Sequence, residues 1–181
     1  MRANEGWDWA AWAHVLALNG DLDNAAILYW LNDSMIGPVN QKSFRAIVER
    51  VRASRAAIVG LTASHEFGWH LQSYFLAFKH PALQFRSLRE FLREVVSLPT
   101  RERVIHSYEI PFTRNIEEMG LTTEALFAPN RKNNPTIHSW KQLLHEGFTK
   151  AFPSLNEASL WAATHGSMTG GARHFNSTAT M

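Results

Sequence analysis

Apolar residues recur along most of this chain at helical spacing. Trp9, Trp12, Ala13 and Leu16 form a stripe at intervals of three and four, and Asn19-Gly20 supplies a stop. Ala25, Leu28 and Tyr29 resume the pattern, with Asp21 or Asp23 as the cap, so residues 1–38 predict two antiparallel helices closed by Gly37-Pro38. From Lys42 to Ala57, Phe44, Ile47, Val48 and Val51 stand at i, i+3, i+4 and i+7, one buried helical face. The run Ala56–Leu61 fits the end of that helix or a short buried strand, and so short a run does not decide by periodicity; helix end is favoured. Thr62 or Ser64 then caps a helix to Lys79. It carries Phe67, Leu71, Tyr74, Phe75 and Phe78 on one face and Trp69 and Leu76 on another, as a central helix does.

Beyond His80-Pro81, Phe85, Leu88, Leu92, Val95 and Val96 predict an amphipathic helix that ends at Leu98-Pro99. The next segment reads as a short helix capped by Thr100 or as a strand, because Val104, His106, Tyr108 and Ile110 alternate; Pro111 closes it either way. Short pieces over Arg114–Met119 and Thr123–Phe127 precede the polar linker Pro129–Pro135, which is expected to be mobile. Ile137, Trp140, Leu144, Phe148 and Ala151 make a further stripe, and Ser154-Leu-Asn-Glu157 is a capping box for a last helix to His165. The expected fold is mainly α, a single compact bundle of about seven or eight helices. It would span residues 1–166, with an acidic Trp-rich hairpin over 1–38, basic helices over 42–103, C-terminal helices over 136–166 and a flexible tail over 167–181.

The stretch Gly20-Asp-Leu-Asp-Asn-Ala25, with Tyr29 four residues on and Pro38 beyond, resembles the turn and second helix of a tetratricopeptide repeat. Trp9, Ala13 and Leu16 stand where the first helix of such a repeat carries its packing residues. The likeness covers about 30 residues, and no second copy follows at the ~34-residue period of these arrays. It implies a helical hairpin and a peptide-binding role.

Composition narrows the class. A chain of 181 residues, 45% hydrophobic and 19% charged, buries a core of its own and is not a disordered chain. Its apolar runs fall short of the roughly 20 residues that span a bilayer. The lack of Cys removes disulfides, thiolate catalysis and Cys-based metal centres. No apolar stretch follows Arg2, so a cytoplasmic protein without a signal peptide is expected, with no cofactor and no membrane partner.

Charge is uneven along the chain. Up to residue 41, Arg2 stands against Glu5, Asp8, Asp21, Asp23 and Asp33, whereas residues 42–103 hold eleven Lys or Arg against five Glu. All Asp lie at or before position 33, so a catalytic carboxylate further on must be Glu. Arg45, Arg52 and Arg55 share one helix flank, and Arg86, Arg89 and Arg93 form a row on another. Side by side, these rows would bind an acidic protein surface or nucleic acid.

The nine His bear on catalysis. His65 and His70 are five apart and miss the zinc-protease spacing, which needs two His four apart on a helix. Glu66 and His70 would share a helical face and form a candidate acid–base pair. His138 and His145 stand two turns apart, too far to share one metal directly. Trp7, Trp9 and Trp12 cannot all face one side of a helix, which makes Trp7 and Trp9 candidates for an exposed contact site. The favoured function is a non-enzymatic interaction or regulatory protein that binds an acidic protein or nucleic acid, with homo-oligomers allowed. The alternatives are a nucleic-acid binder in the narrow sense and a small hydrolase or metalloenzyme built on Glu66 and His70.

Overall fold

A computed structural model describes residues 6–32, 35–36, 41–128 and 149–150. The expected helices over 136–166, with His138 and His145, and the expected loop 129–135 and tail 167–181 lie outside the described residues. The described part is an α/β fold built on a mixed sheet, not a helical bundle.

Strands β1 (Ile27–Leu31), β3 (Ile58–Ser64), β5 (Phe75–Lys79) and β6 (Thr123–Phe127) form its body, and the short β4 (His70–Leu71) extends the β3 partner. A separate pair joins β2 (Met35–Ile36) to β7 (Thr149–Lys150). β5 lies between β1 and β3 and is antiparallel to both, while β6 runs parallel to β3 on its other side. β1, β3 and β6 therefore point the same way and end at one edge of the sheet.

The segment expected as a helix over 25–32 holds β1, the helix end expected over Ala56–Leu61 holds the start of β3, and the helix expected over 62–79 is the end of β3, β4 and β5 with their connections. Ile27-Leu-Tyr-Trp-Leu31 is rich in residues that favour a pleated surface, and it pairs along its whole length with β5. That pairing replaces the second helix of the N-terminal hairpin, and Gly20–Asn24 is only a short 3-10 turn. The tetratricopeptide-like hairpin does not form. All seven residues of β3 are buried, as in a strand covered on both faces, so its apolar run has no alternation to betray it.

Side chains alternate across the sheet and separate two cores. Trp30, Ile58, Leu76 and Phe78 face helices α1 (Trp7–Leu18), α3 (His80–Leu83), α4 (Arg86–Arg93), α5 (Arg101–Val104) and α6 (Ile110–Glu118). Val59, Leu61, Phe75 and Ala77 face the opposite way, against Ile47 and Val51 of α2 (Gln41–Ala53). Trp9 sits at the centre of the first core, among the rings of Trp12, Trp30, Phe91, Tyr108 and Phe112.

α5 and α6 are one continuous helix joined by a π turn over Ile105–Glu109. Pro111, expected to terminate the segment, is carried inside it. Proline has no N–H for the carbonyl four residues back and its ring crowds that carbonyl, and the wider turn just before it makes room.

Candidate functional site

The buried polar side chains among the described residues are Thr62, Ser64, His70, Ser73 and Thr113, and all of them gather where β3 ends and β4 begins. Burying a hydroxyl or imidazole costs free energy unless each finds a partner, so such a gathering within an apolar domain calls for a network. The network exists. Thr62 donates to Gln72 Oε1 at 2.7 Å, which leaves it to accept from the Tyr74 hydroxyl. The Leu71 N–H donates to Thr113 Oγ1 at 2.8 Å and ties the hairpin to α6. Ser73 donates to Glu109 Oε2. His70 Nε2 lies 4.0 Å from Glu109 Oε1, and its Nδ1 is 2.9 Å from the Gly68 carbonyl.

A β-bulge creates this arrangement. Ala63 pairs with Leu71 and Gly60 with Leu76, so four residues of the returning strand oppose two of β3. Ser73 and Tyr74 are the extra pair. Freed from the ladder, Ser73 reaches Glu109 on the π turn, and Tyr74 turns into the α2-side core, its backbone carbonyl accepting from the Asn32 N–H at 3.2 Å. Burial pushes the Tyr74 phenol well above its ordinary range; the Thr62 hydrogen bond acts against the rise and the Glu109 charge adds to it.

A carbonyl only accepts, so Nδ1 of His70 carries its hydrogen and Nε2 is the nitrogen turned toward Glu109. His70 is 4% exposed, whereas the Glu109 side chain is 19% exposed. The carboxylate is therefore the group a ligand meets, with Ser73 holding it from behind and the His70 ring beside it. A carboxylate held this way can accept a hydrogen bond, or a proton, from a ligand hydroxyl.

The carboxylate partner of His70 is thus Glu109 and not Glu66. Residues 65–69 are a hairpin connection instead of a helix, so the i, i+4 relation that would have joined Glu66 to His70 does not arise, and Glu66 is exposed at the loop. Glu109 was hidden from local spacing because it stands 39 positions beyond His70 on a different element. The only cue was the rule that a carboxylate beyond position 33 must be Glu.

The two Arg rows do not meet. Arg45, Arg52 and Arg55 belong to the α2 side of the sheet, while Arg86, Arg89 and Arg93 ride on α4 across the other core. Arg86 pairs with Glu90 at 2.7 Å, and Arg89 and Arg93 border a groove of about 390 Å³ floored by Leu16, Leu83, Leu88 and Leu92. Arg50 is spent on the fold: it donates to the Leu126 carbonyl and covers the Phe127 ring at 4.5 Å. Trp7 is 50% exposed, but Trp9, at 2%, is a core residue with no surface to offer a partner. Among the described residues no group of three or more His, Asp or Glu could hold a metal, and no helix is long and apolar enough to cross a membrane.

Fold and site together define an α/β domain with a polar, carboxylate-centred site where its parallel strands end, the usual place for ligands in open sheets of this kind. The chain belongs to the rhamnan synthesis protein F family, whose model matches residues 1–150. It is also similar to the uncharacterized protein y4gN of Sinorhizobium fredii (strain NBRC 101917 / NGR234), with 29% identity over 133 residues that cover 71% of this chain and 34% of that protein. The chain thus spans about a third of the length of this curated relative. No solved structure matches it.

Proposed function

We propose that this chain serves the synthesis of a rhamnose polymer as a saccharide-handling domain, in which Glu109 accepts a hydrogen bond from a sugar hydroxyl. The observation that carries the reading is the convergence of the buried polar side chains beside Glu109, whose carboxylate is the most accessible group of the cluster. The family name supplies the sugar. Lengthening a sugar polymer requires an acceptor hydroxyl to be oriented and to give up its proton, and a carboxylate fixed by Ser73 beside an imidazole suits both tasks.

Glu109→Gln tests this reading. The amide keeps the shape and an acceptor oxygen for Ser73 but loses the charge, so binding of a rhamnose disaccharide, followed by calorimetry, should weaken about tenfold. The melting temperature should move by no more than about 4 °C, the shift that about 1 kcal/mol produces in a domain of this size. A parent protein that binds no rhamnose disaccharide, or a Gln variant that binds it as tightly as the parent, refutes the reading.

A further inference from the structure

We infer that Phe67 and His106 form an aromatic platform for the apolar face of a 6-deoxyhexose ring whose hydroxyl is held at Glu109; this rests on the saccharide reading above. Phe67 lies at the tip of the β3–β4 loop and is 70% exposed, an unusual position for a ring that burial would stabilise. Its φ is +58°, in the left-handed region where a bulky side chain is an outlier, and Gly68 follows at +107°. Strain of this kind persists where something other than stability keeps it, and here it turns a phenyl ring outward. The ring does not stand alone: His106 meets it edge to face at 5.1 Å between centroids.

The placement links platform and carboxylate. Phe67 is three residues before His70 on the hairpin, and His106 is three residues before Glu109 on the π turn. The same two elements that bring His70 to Glu109 therefore bring Phe67 to His106, and the rings continue that contact outward to solvent. A sugar lying on the Phe67 ring, with the His106 ring set at 69° beside it, would present its C–H face to Phe67 and its hydroxyl edge to Glu109. A 6-deoxyhexose has a methyl group where a hexose has a hydroxymethyl, so it adds apolar surface and no extra hydroxyl to desolvate.

The test compares methyl α-L-rhamnoside with its 6-hydroxy counterpart, methyl α-L-mannoside, by saturation-transfer NMR titration. Phe67→Gly should weaken rhamnoside binding about fivefold, the scale of one lost ring contact, and bring the two sugars close to equal affinity. Its melting temperature should stay level or rise, because glycine accepts the positive φ without strain. Phe67→Trp should restore binding and Phe67→Leu should not. Glu109→Gln in the same titration separates the two readings. Loss in that variant with unchanged binding in Phe67→Gly overturns the platform and leaves the carboxylate reading standing, whereas the reverse pattern supports the platform and overturns the role of Glu109. Equal affinity of the parent for both sugars overturns the 6-deoxy preference, and a parent that binds neither overturns both proposals.

Discussion

Trp7 and Trp9 stand two residues apart, and their replacement by alanine should have very different costs. Trp9 is 2% exposed and is ringed by five aromatic side chains at centroid distances from 5.1 Å for Phe112 to 6.2 Å for Trp30 and Phe91. A Trp buried to that extent removes about 200 Å² from water, which at about 25 cal/mol per Å² is about 5 kcal/mol. That is an upper bound, since the unfolded chain already hides part of the ring. Trp9 Nε1 also has no hydrogen-bond partner among the described residues, and removal of an unsatisfied buried donor returns about 1 kcal/mol or more. Trp9→Ala should therefore cost about 3–4 kcal/mol, within the range for large-to-small core changes. Trp7, half exposed, should cost less than about 1 kcal/mol. Trp9→Phe should be milder than Trp9→Ala because it keeps a ring and discards the orphaned N–H. Urea unfolding followed by far-UV circular dichroism measures all three without relying on the deleted indoles. A Trp9→Ala midpoint close to that of the parent, or a Trp7→Ala loss as large as that of Trp9→Ala, would refute the assignment of Trp9 to the core.

Two further outcomes follow from the same packing. A Cβ at Gly60 would stand 2.9 Å from Leu71 Cδ2 and 3.2 Å from its Cβ, and Leu71 is itself 1% exposed, so Gly60→Ala should destabilise by about 1–3 kcal/mol in urea unfolding; an unchanged midpoint would show that Leu71 has room to move. Burial raises the Tyr74 phenol above its ordinary value of 10, so above that pH the unfolded chain loses the proton while the folded one keeps it. Its contribution to stability is complete below pH 10 and should be lost at about 1.4 kcal/mol per pH unit above it. Urea midpoints between pH 9 and 11 measure the slope, and a Tyr74→Phe variant with the same slope as the parent would contradict the assignment.

The amphipathic surface helices were legible in the sequence and the sheet was not. α2 and α4 form where the spacing places them, because each buries one stripe and leaves the other side in water: Ile47 and Val51 in one, Leu88 and Leu92 in the other. β3 is covered on both faces, so its apolar run carries no period, and the strand alternative for Ala56–Leu61 could not be preferred locally. β5 has four apolar residues in succession for the same reason. Phe67, Leu71, Tyr74, Phe75 and Phe78 stand at helical intervals although they belong to a loop, a bulge and two strands. The site shared this fate. His70 was visible as a candidate, but its partners Glu109 and Ser73 depend on the bulge and on a helix that passes through Pro111, and neither has a local signature.

The bulge explains how a site can be inserted into this sheet without disturbing its cores. A slip of one residue would reverse the face of every side chain that follows, sending Leu76 and Phe78 away from the core around Trp9. The extra residues here number two, so Leu76 still pairs with Gly60 and Phe78 with Ile58, each on the same face as before. Ser73 and Tyr74 thereby leave the ladder, while Ala63 and Leu71 beyond the bulge face the same core as Ile58 and Leu76. Ser73 reaches a carboxylate on the helical layer and Tyr74 fills the opposite core. Deleting both residues should preserve the faces of β5 and remove the Ser73 hold on Glu109, whereas deleting one should invert the strand.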